Sequence, residues 1–228
     1  MAADPPFDLE QVDRLLTTTK SVRQRLDLQR PVERAVIAEC IRLAAFAPNA
    51  SNAQEWHWVV VDDPELVARV GDLYRRVLEP LSREMLAAKE EQGDEAGAKV
   101  TRSVLYLAEH MRDVPAIVIP CFDVAAASSR YGDVLASREA PTSMDPAMFA
   151  SILPAVWSFQ LALRSRGLGS TLTTAHQFRQ EAMAEILGIP KTWFQVALLP
   201  VAYTTGGDFR PSERAAAETK ILWNGRPA

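Results

Sequence analysis

One long helical pattern constrains this chain more than any other part of its sequence. Between Met148 and Leu163, apolar residues occupy more than one side of a helix, and small alanines and serines lie between them. Such a pattern is typical of a central, largely buried helix. Its predicted end is Arg164–Gly167, with cations in the last turn followed by a glycine. The rest of the chain must therefore supply elements that cover this helix.

Four stretches rich in β-branched and aromatic residues alternate with amphipathic helical patterns. The predicted strands cover residues 58–61, 116–122, 168–174 and 195–203. Pro120 cannot donate to a sheet ladder, so we expect a strand end or a sheet edge there. The remaining helices are predicted over residues 9–16, 32–45, 66–77, 100–111 and 180–187. With neither a repeat nor a clear linker, residues 1–228 are predicted to form one α+β domain, with helices on each side of the sheet.

Three segments lack a clear regular pattern. Residues 81–99 are charged and contain glycines, so we expect them to fray as a helix. We interpret about 81–113 as a lid excursion, with a solvated helix–helix connection as the alternative. Residues 124–146, rich in Ala, Ser, Gly and Pro, predict a long irregular segment. The tail, about 205–228, carries an isolated apolar stretch at Ile221–Trp223, which predicts docking on its own body or on a partner subunit.

Composition and charge exclude several classes of protein. The net charge is −4, from 25 basic and 29 acidic residues, so the chain lacks the basic footprint of a nucleic-acid-binding protein. We find no apolar run approaching the ~18 residues of a membrane span and no signal peptide. Cys40 and Cys121 fall on patterns of a buried helix and a buried strand, which indicates core residues in a reducing compartment. We expect a cytoplasmic protein.

Common catalytic motifs are missing from the sequence. There is no G-x-G-x-x-G before a helix, no P-loop, no G-x-S-x-G elbow and no zinc-type spacing among His57, His110, His176 and the two cysteines. No metal site is therefore predicted, and His57, within a strand pattern, is interpreted as structural. An enzyme built this way would depend on a cofactor for its chemistry.

Two polar segments are candidates for ligand binding. Four cations occur among residues 20–30, close to Ser and Thr hydroxyl groups. Guanidinium and hydroxyl donors suit a phosphate; a solvated surface is the alternative interpretation. The segment Ala47–Trp56 joins a helix to a strand and is crowded with short polar side chains. It fits either a ligand-binding loop or an ordinary turn.

Four short motifs, in order along nearly the whole chain, resemble those of the flavin-dependent nitroreductase family. A basic-Ser-x-basic run after the first helix is matched by Lys20–Arg23, and Ala-Pro-Ser-x-x-Asn-x-Gln-Pro-Trp before a strand is matched by Ala47–Trp56. A Gly-Leu-Gly stretch is matched by Gly167–Gly169, and a late basic residue with a Trp-Asn arm by Arg214 and Trp223-Asn224. Each motif is weak alone, but four in the right order and spacing form a fairly specific signal.

The resemblance implies an FMN site shared by two subunits of a homodimer. Lys20, Ser21 and Arg23 would lie along the ribityl phosphate and the pyrimidine edge, with Arg23 near the N1–C2 carbonyl, where the reduced flavin carries negative charge. A fixed cation there tunes the flavin potential. Arg214, with Arg210 or Arg25, would complete a phosphate clamp.

The resemblance also assigns residues to the flavin ring. The other subunit would contribute Pro48, Asn49 and Ala50, while Asn52 would hold that turn or touch the ring. Leu172, Thr173 and Thr174 would present backbone N–H groups to flavin N5. Three positions depart from the family pattern: Thr19 replaces a common arginine, Asn49 a serine and Glu55 a proline. No side chain is identified as a proton donor.

The fold implied by the resemblance is a three-layer nitroreductase-like α+β fold. Its central, mostly antiparallel sheet would have four strands, and its C-terminal arm would be exchanged with the partner subunit. The implied activity is hydride transfer from NAD(P)H through FMN to a nitroaromatic, a quinone or a similar acceptor, by a ping-pong mechanism. The alternatives are a related flavin-cleaving or dehalogenating enzyme, a non-catalytic flavin store or sensor, and a fold that has lost its cofactor.

Overall fold

The computed structural model describes residues 5–136 and 146–227. The helices are α1 (Leu9–Thr18), α2 (Arg34–Ala44), α3 (Pro64–Glu91), α4 (Glu95–His110), α5 (Val124–Ala136), α6 (Pro146–Ser165) and α7 (Gln180–Leu187). The strands are β1 (Trp56–Val61), β2 (Ala116–Asp123), β3 (Leu168–Ser170), β4 (Trp193–Gln195), β5 (Leu199–Tyr203), β6 (Leu222–Trp223) and β7 (Arg226–Pro227). Short 3₁₀ turns cover Ala50–Asn52, Met111–Asp113, Ala175–Arg179 and Ala217–Lys220.

The chain forms two compact units, Met1–Lys20 with Gly207–Ala228, and Ser21–Gly206. In the first unit, α1 begins at Asp8, whose side chain accepts a hydrogen bond from the Gln11 N–H. Arg14 of α1 pairs with Asp208 at 2.6 Å. The tail ends in the hairpin β6–β7, whose turn residues Asn224 and Gly225 have φ values of 56° and 76°. This is the left-handed backbone that a tight hairpin turn requires.

The second unit is built on a fully antiparallel sheet. Its strand order is β1-β2-β5-β3, and β4 also pairs with β2. Val118 and Leu199 belong to a core cluster together with α2 and α6. Ile117 and Ile119 flank Val118 on β2, so their side chains point to the opposite face of the sheet. They are also fully buried, so both faces of the sheet are covered. The predicted α+β architecture, with helices on each side of the sheet, is confirmed.

Helix α6 forms where the sequence predicts a long helix, but only one face of it is buried, since Leu153 and Trp157 are 38% and 42% exposed. Ile152, Ala155, Val156, Phe159 and Leu163 are completely buried. By length and composition, Ala147–Ser165 could also cross a membrane, with a mean hydropathy of 1.3. The expectation that no apolar stretch approaches the length of a membrane span was therefore wrong. Half of this helix is buried inside the fold, and a core helix of a globular protein has the same composition.

Pro120 does not end strand β2, contrary to our expectation. It pairs with Trp58 of β1, and on its other side its carbonyl accepts the Val196 N–H at 2.9 Å. In an antiparallel ladder the N–H and C=O of one residue point to the same neighbour, so the missing N–H faces the stretch between β4 and β5. The predicted fourth strand is interrupted at this stretch, and within the described residues the sheet has five strands instead of four.

The charged segment 81–99 is a helical hairpin, so the prediction that it would fray was wrong. Helix α3 continues to Glu91, and α4 starts at Glu95, directly after a short turn in which Gly93 has a φ of 69°. Asp94 caps α4 by accepting from the Gly97 N–H and also bonds Lys89 at 2.9 Å. Arg102 of α4 joins the two helices by pairing with Glu90 of α3, and it also pairs with Glu95 of its own helix. The opposite charges that made the segment look unstable are therefore paired in the folded hairpin.

The predicted irregular segment 124–146 begins as a helix. Asp123 accepts a hydrogen bond from the Ala126 N–H at 3.0 Å, which satisfies a free donor at the start of α5. Three consecutive alanines follow Val124, and alanine is the best helix former. Residues 137–145 lie outside the described ranges. The sequence prediction was therefore wrong for Val124–Ala136.

Both cysteines are core residues, as predicted. Cys40 and Cys121 are fully buried free thiols. Burial raises the pKa of Cys121 to about 12, which keeps this thiol neutral. A neutral buried thiol behaves as a small apolar side chain.

Gly71 provides a test of the packing on α3. A Cβ at this position would lie 2.4 Å from the backbone nitrogen of Arg112. Gly71→Ala should therefore lower the free energy of unfolding by about 1–3 kcal/mol, because the two segments cannot approach as closely. Urea unfolding of the purified protein measures this change.

Gly132→Ala is the matched control, because nothing lies within 4 Å of a Cβ at this helical position. It should stabilise the protein by about 0.5–1 kcal/mol, the usual gain for alanine over glycine in a helix. A Gly71→Ala protein as stable as the Gly132→Ala protein would contradict the described packing.

Candidate functional site

The basic segment is attached to the end of strand β3. The Val22 N–H donates to the Ser170 carbonyl at 2.9 Å, and Val22 is buried against Gly169. Leu26, also buried, forms a bridge with Thr204 after β5. Val22 is anchored in this packing, and a turn follows it, in which the Leu26 N–H donates to the Arg23 carbonyl. Ser21 is exposed and Arg23 is half-buried.

Arg23 lies among neutral polar groups. Its Nη1 donates a long hydrogen bond of 3.4 Å to Ser103 Oγ on α4, and burial lowers the pKa of Arg23. Tyr74 of α3 is close enough to oppose this shift. Among the described residues, no carboxylate pairs with Arg23. A partly desolvated guanidinium without a carboxylate is a natural place for an anion.

Tyr74 connects Arg23 to one of the predicted ring contacts. Its hydroxyl lies 3.0 Å from Thr173 Oγ1, and burial raises the pKa of Tyr74. The Thr173 backbone is held by two hydrogen bonds with Leu198, of 3.1 and 2.8 Å. We call Arg23, Tyr74, Ser103 and Thr173 the Arg23 cluster. Leu172 and Thr174, on either side of Thr173, are exposed.

Sequence reasoning found only half of this cluster. Arg23 and Thr173 were predicted as cofactor contacts. Tyr74 was assigned only to the buried face of a helix, and Ser103 was not selected. The spacing of Tyr74 matches ordinary core packing, so no sequence signal separated it from its apolar neighbours. Ser103 is a polar residue between apolar helix positions, which is a weak signal at best.

The other predicted cations make contacts of their own. Arg25 donates from Nε to the Thr205 carbonyl at 2.7 Å, which places it against the chain after β5. In the first unit, Lys20 Nζ donates to the Arg210 carbonyl at 3.0 Å and lies over the Phe209 ring. Arg214 is exposed and donates to the carbonyl of neighbouring Glu213. Among the described residues of that unit, the structure joins Lys20 to Arg210 but not to Arg214.

The 47–56 loop, Ala47 to Trp56, has an unusual backbone. Ser51, Asn52 and Gln54 have φ values of 52°, 52° and 53°. Residues other than glycine and asparagine rarely adopt this left-handed backbone conformation. Such outliers are often found at binding and catalytic sites. Pro48, Ala50 and Asn52 are exposed, so the loop presents the predicted ring-contacting residues to a ligand or to another chain.

Side chains from two elements hold the loop in this form. Asn49 Oδ1 accepts the Gln54 N–H at 2.9 Å, and Asn49 Nδ2 donates to the Ala47 carbonyl at 3.3 Å. Ser151 of α6 accepts the Ala50 N–H at 3.2 Å. Asn49 holds the turn, the role that we considered for Asn52. Within the described part of one chain, no hydrogen bond joins the loop to the Arg23 cluster.

Two of the three departures from the family pattern have structural explanations. The buried Glu55 carboxylate accepts a hydrogen bond from Arg130 Nε of α5 at 2.8 Å, which fixes the end of the loop. Thr19 donates to the Leu15 carbonyl at 2.6 Å and thereby closes the last turn of α1. His57 stacks on Trp193 with ring centroids 3.6 Å apart, which is consistent with a structural role. In the described ranges, no three His, Cys, Asp or Glu residues gather around a metal position.

These features accompany a match to a known family. Residues 16–203 match the model of the nitroreductase family, so the chain belongs to the nitroreductase family. Members of this family are flavin-dependent oxidoreductases. The resemblance stated from the sequence motifs is confirmed.

Solved structures with the same fold cover nearly the whole chain. One is an NADH dehydrogenase/NAD(P)H nitroreductase from Parabacteroides distasonis, 21% identical, with a TM-score of 0.65 over 94% of this chain and 98% of that one. Another is a BluB-like flavoprotein from Clostridium difficile, 17% identical, with a TM-score of 0.64 and coverages of 95% and 99%. A third is iodotyrosine deiodinase bound to FMN and 3-iodo-L-tyrosine, 18% identical, with a TM-score of 0.63 and coverages of 89% and 95%. At these identities the likeness shows the fold.

His176, two residues after Thr174, provides a pH test of this region. The side chain is fully buried, and burial lowers its pKa from 6.5 to about 4. Between these values the unfolded chain binds a proton that the folded chain does not. The stability that the protein has with a neutral His176 is therefore fully present above pH 6.5. The free energy of unfolding then decreases as the pH falls towards 4. The shift corresponds to about 3 kcal/mol.

Urea unfolding between pH 7 and pH 4 should show this loss in the natural protein. His176→Gln should remove this part of the pH dependence, whatever its effect on stability at pH 7. His110→Gln, at a partly exposed histidine, is the control and should retain the contribution of His176. An unchanged pH dependence in His176→Gln would contradict the neutral buried state.

Proposed function

We propose that the protein is an FMN-dependent NAD(P)H oxidoreductase that reduces a nitroaromatic, a quinone or a similar acceptor by a ping-pong mechanism. Bound FMN would supply the redox chemistry, taking hydride from NAD(P)H and delivering it to the acceptor. The chain's residues would bind the flavin, orient it and set its electrostatic environment. Membership of the nitroreductase family supports flavin chemistry, while the donor and the acceptor are our own assignments.

This proposal depends mainly on one observation, the environment of the Arg23 guanidinium. It is half-buried, its pKa is lowered by burial, and it has no carboxylate partner among the described residues. Even with a lowered pKa, an arginine remains charged at neutral pH. A fixed cation in such a place stabilises negative charge on a bound ligand, and the pyrimidine edge of a reduced flavin carries such charge. The residues present therefore fit FMN.

Other predicted residues would complete the site. Ser21, exposed beside Arg23, would bond the ribityl phosphate, and Arg25 would add positive charge. Lys20, Arg210 and Arg214 are proposed for the phosphate on the family resemblance alone. The backbone N–H groups of Leu172 and Thr174 would face the flavin ring, whereas the Thr173 N–H, which we had also expected there, already donates to the Leu198 carbonyl at 3.1 Å.

The site would be shared between two subunits of a homodimer in the cytoplasm. Pro48, Asn49, Ala50 and Asn52 would come from the partner subunit, because the 47–56 loop has no hydrogen bond to the Arg23 cluster within the described part of one chain. The tail, about 205–228, would serve as the dimerisation arm. Its residues Leu222 and Trp223 are 61% and 69% exposed, so they are available for contact with another chain.

Anaerobic titration of the FMN-loaded protein tests the proposed function. NADH or NADPH should bleach the flavin absorbance, and a quinone or nitroaromatic acceptor should restore it. Arg23→Ala should weaken FMN binding by about tenfold to a hundredfold, because a hydrogen bond to a charged group contributes about 1.5–3 kcal/mol. Arg102→Ala is the control, since Arg102 is already paired with two glutamates beside Ser103, and FMN affinity should be unchanged.

The outcomes separate the alternatives. A protein that cannot be loaded with FMN would refute the proposal and indicate a fold without its cofactor. Bound FMN that neither nicotinamide bleaches would indicate a flavin store or sensor. Loss of the flavin ring system on reaction with oxygen, or halide release from a halogenated substrate, would indicate the related cleaving or dehalogenating chemistry.

Trp223 tests the proposed dimer arm. Trp223→Ala should raise the dimer dissociation constant at least tenfold, because a buried aromatic anchor commonly contributes more than 2 kcal/mol to an interface, and it should reduce FMN retention with it. Analytical ultracentrifugation over a range of concentrations measures this constant. Phe178→Ala removes a similarly exposed aromatic outside the arm and should leave it unchanged. A monomeric natural protein that still binds FMN would exclude the shared site.

A further inference from the structure

The paired hydroxyl groups of Tyr74 and Thr173 can be assigned a direction. Their oxygens lie 3.0 Å apart, and either could donate. Tyr74 is only 1% exposed, and Thr173 supplies the one hydrogen-bond partner of its hydroxyl among the described residues. Thr173 is half-buried and lies between exposed neighbours. The two hydroxyls therefore differ in their access to other acceptors.

Burial decides which hydroxyl donates. If Thr173 donated to Tyr74, the Tyr74 proton would be buried without an acceptor, at a cost of about 1–3 kcal/mol. If Tyr74 donates, both oxygens are satisfied, and the Thr173 proton is left to point away from Tyr74. Because burial raises the pKa of Tyr74, this phenol keeps its proton. The favoured arrangement is therefore Tyr74 as donor and Thr173 Oγ1 as acceptor.

We propose that Tyr74 is a positioning residue that fixes the Thr173 hydroxyl as an outward hydrogen-bond donor to the bound flavin. This inference rests on the proposed function. Two backbone hydrogen bonds to Leu198 hold Thr173 in place, so its hydroxyl is constrained at both the main chain and the oxygen. A donor fixed before the ligand arrives loses little conformational entropy on binding.

The direction of this donor predicts a redox effect. The ring nitrogens of oxidised flavin accept hydrogen bonds, whereas reduction converts an acceptor nitrogen into an N–H donor. An outward hydroxyl proton therefore favours the oxidised cofactor. Loss of Tyr74 as the donor would let the Thr173 proton turn towards the vacated position. Binding of oxidised FMN should then weaken more than binding of reduced FMN.

Tyr74→Phe removes the hydroxyl while keeping the ring. The dissociation constant of oxidised FMN should rise about threefold to tenfold, the range expected for one neutral hydrogen bond. A tenfold change confined to the oxidised form raises the midpoint potential of the bound flavin by about 30 mV for a two-electron couple. Equilibrium dialysis and a spectrophotometric redox titration measure the two quantities.

Tyr203→Phe is the matched control, because the Tyr203 hydroxyl donates to Glu33 at 2.9 Å, outside the Arg23 cluster. It should change neither quantity. Thr173→Val should raise the potential as Tyr74→Phe does, and Thr173→Ser, which retains a hydroxyl, should behave like the natural protein. These Thr173 variants also test the inference if Tyr74→Phe does not fold.

A double variant tests whether Tyr74 acts through Thr173. In a Thr173→Val background, Tyr74→Phe should add no further shift, since the hydroxyl that it orients is absent. An equal shift in both backgrounds would overturn the inference and assign Tyr74 to packing alone. If the natural protein binds no FMN, the proposed function fails as well. If the natural protein binds FMN and Tyr74→Phe matches it in affinity and potential, the inference fails alone.

Discussion

The burial of helix α6 is the constraint on which both candidate site segments depend. Burial of its apolar face stabilises this helix in water, and that face packs against α2 and the sheet. Its few polar side chains then lie at fixed places. Ser151 accepts the Ala50 N–H of the 47–56 loop, and Gln160 Nε2 donates to Ser170 Oγ at 3.1 Å. The Ser170 carbonyl in turn accepts the Val22 N–H, so the core positions the loop and the basic segment together.

The Arg23 cluster joins elements that are distant in the sequence. Arg23 precedes α2, Tyr74 lies on α3, Ser103 on α4 and Thr173 after β3. Their contacts place one charge among three neutral hydroxyl groups, none of which neutralises it. Partial burial strengthens the electrostatic influence of such a charge because less water screens it. Such an arrangement would stabilise a bound anion better than an exposed arginine would, because the guanidinium is already partly desolvated.

Local patterns predicted much of this molecule, and long-range contacts determined the rest. The apolar pattern of 148–163 predicted a long helix packed in the core, and the order of the four motifs was specific enough to indicate the family. The expectation of a strand end at Pro120 was wrong because its missing N–H matters only on the side where the neighbouring strand is interrupted. The charges of 81–99 suggested fraying because their partners, such as Lys89 with Asp94, become evident only once the chain turns at Gly93. Tyr74 looked like a core residue because its hydroxyl partner is 99 residues away.

The backbone of the 47–56 loop connects its energetics to binding. A residue other than glycine in the left-handed backbone conformation costs about 1–3 kcal/mol. Asparagine tolerates this conformation best, so Ser51 and Gln54 account for most of the strain. The three hydrogen bonds that involve Asn49 and Ser151 contribute about 0.5–1.5 kcal/mol each, which together is similar in size to this cost. The loop is therefore held in this form by the folded domain before any ligand arrives. A ligand that contacts Pro48, Asn49 and Ala50 therefore meets a loop already in its final form, and its binding energy is not reduced by ordering the loop.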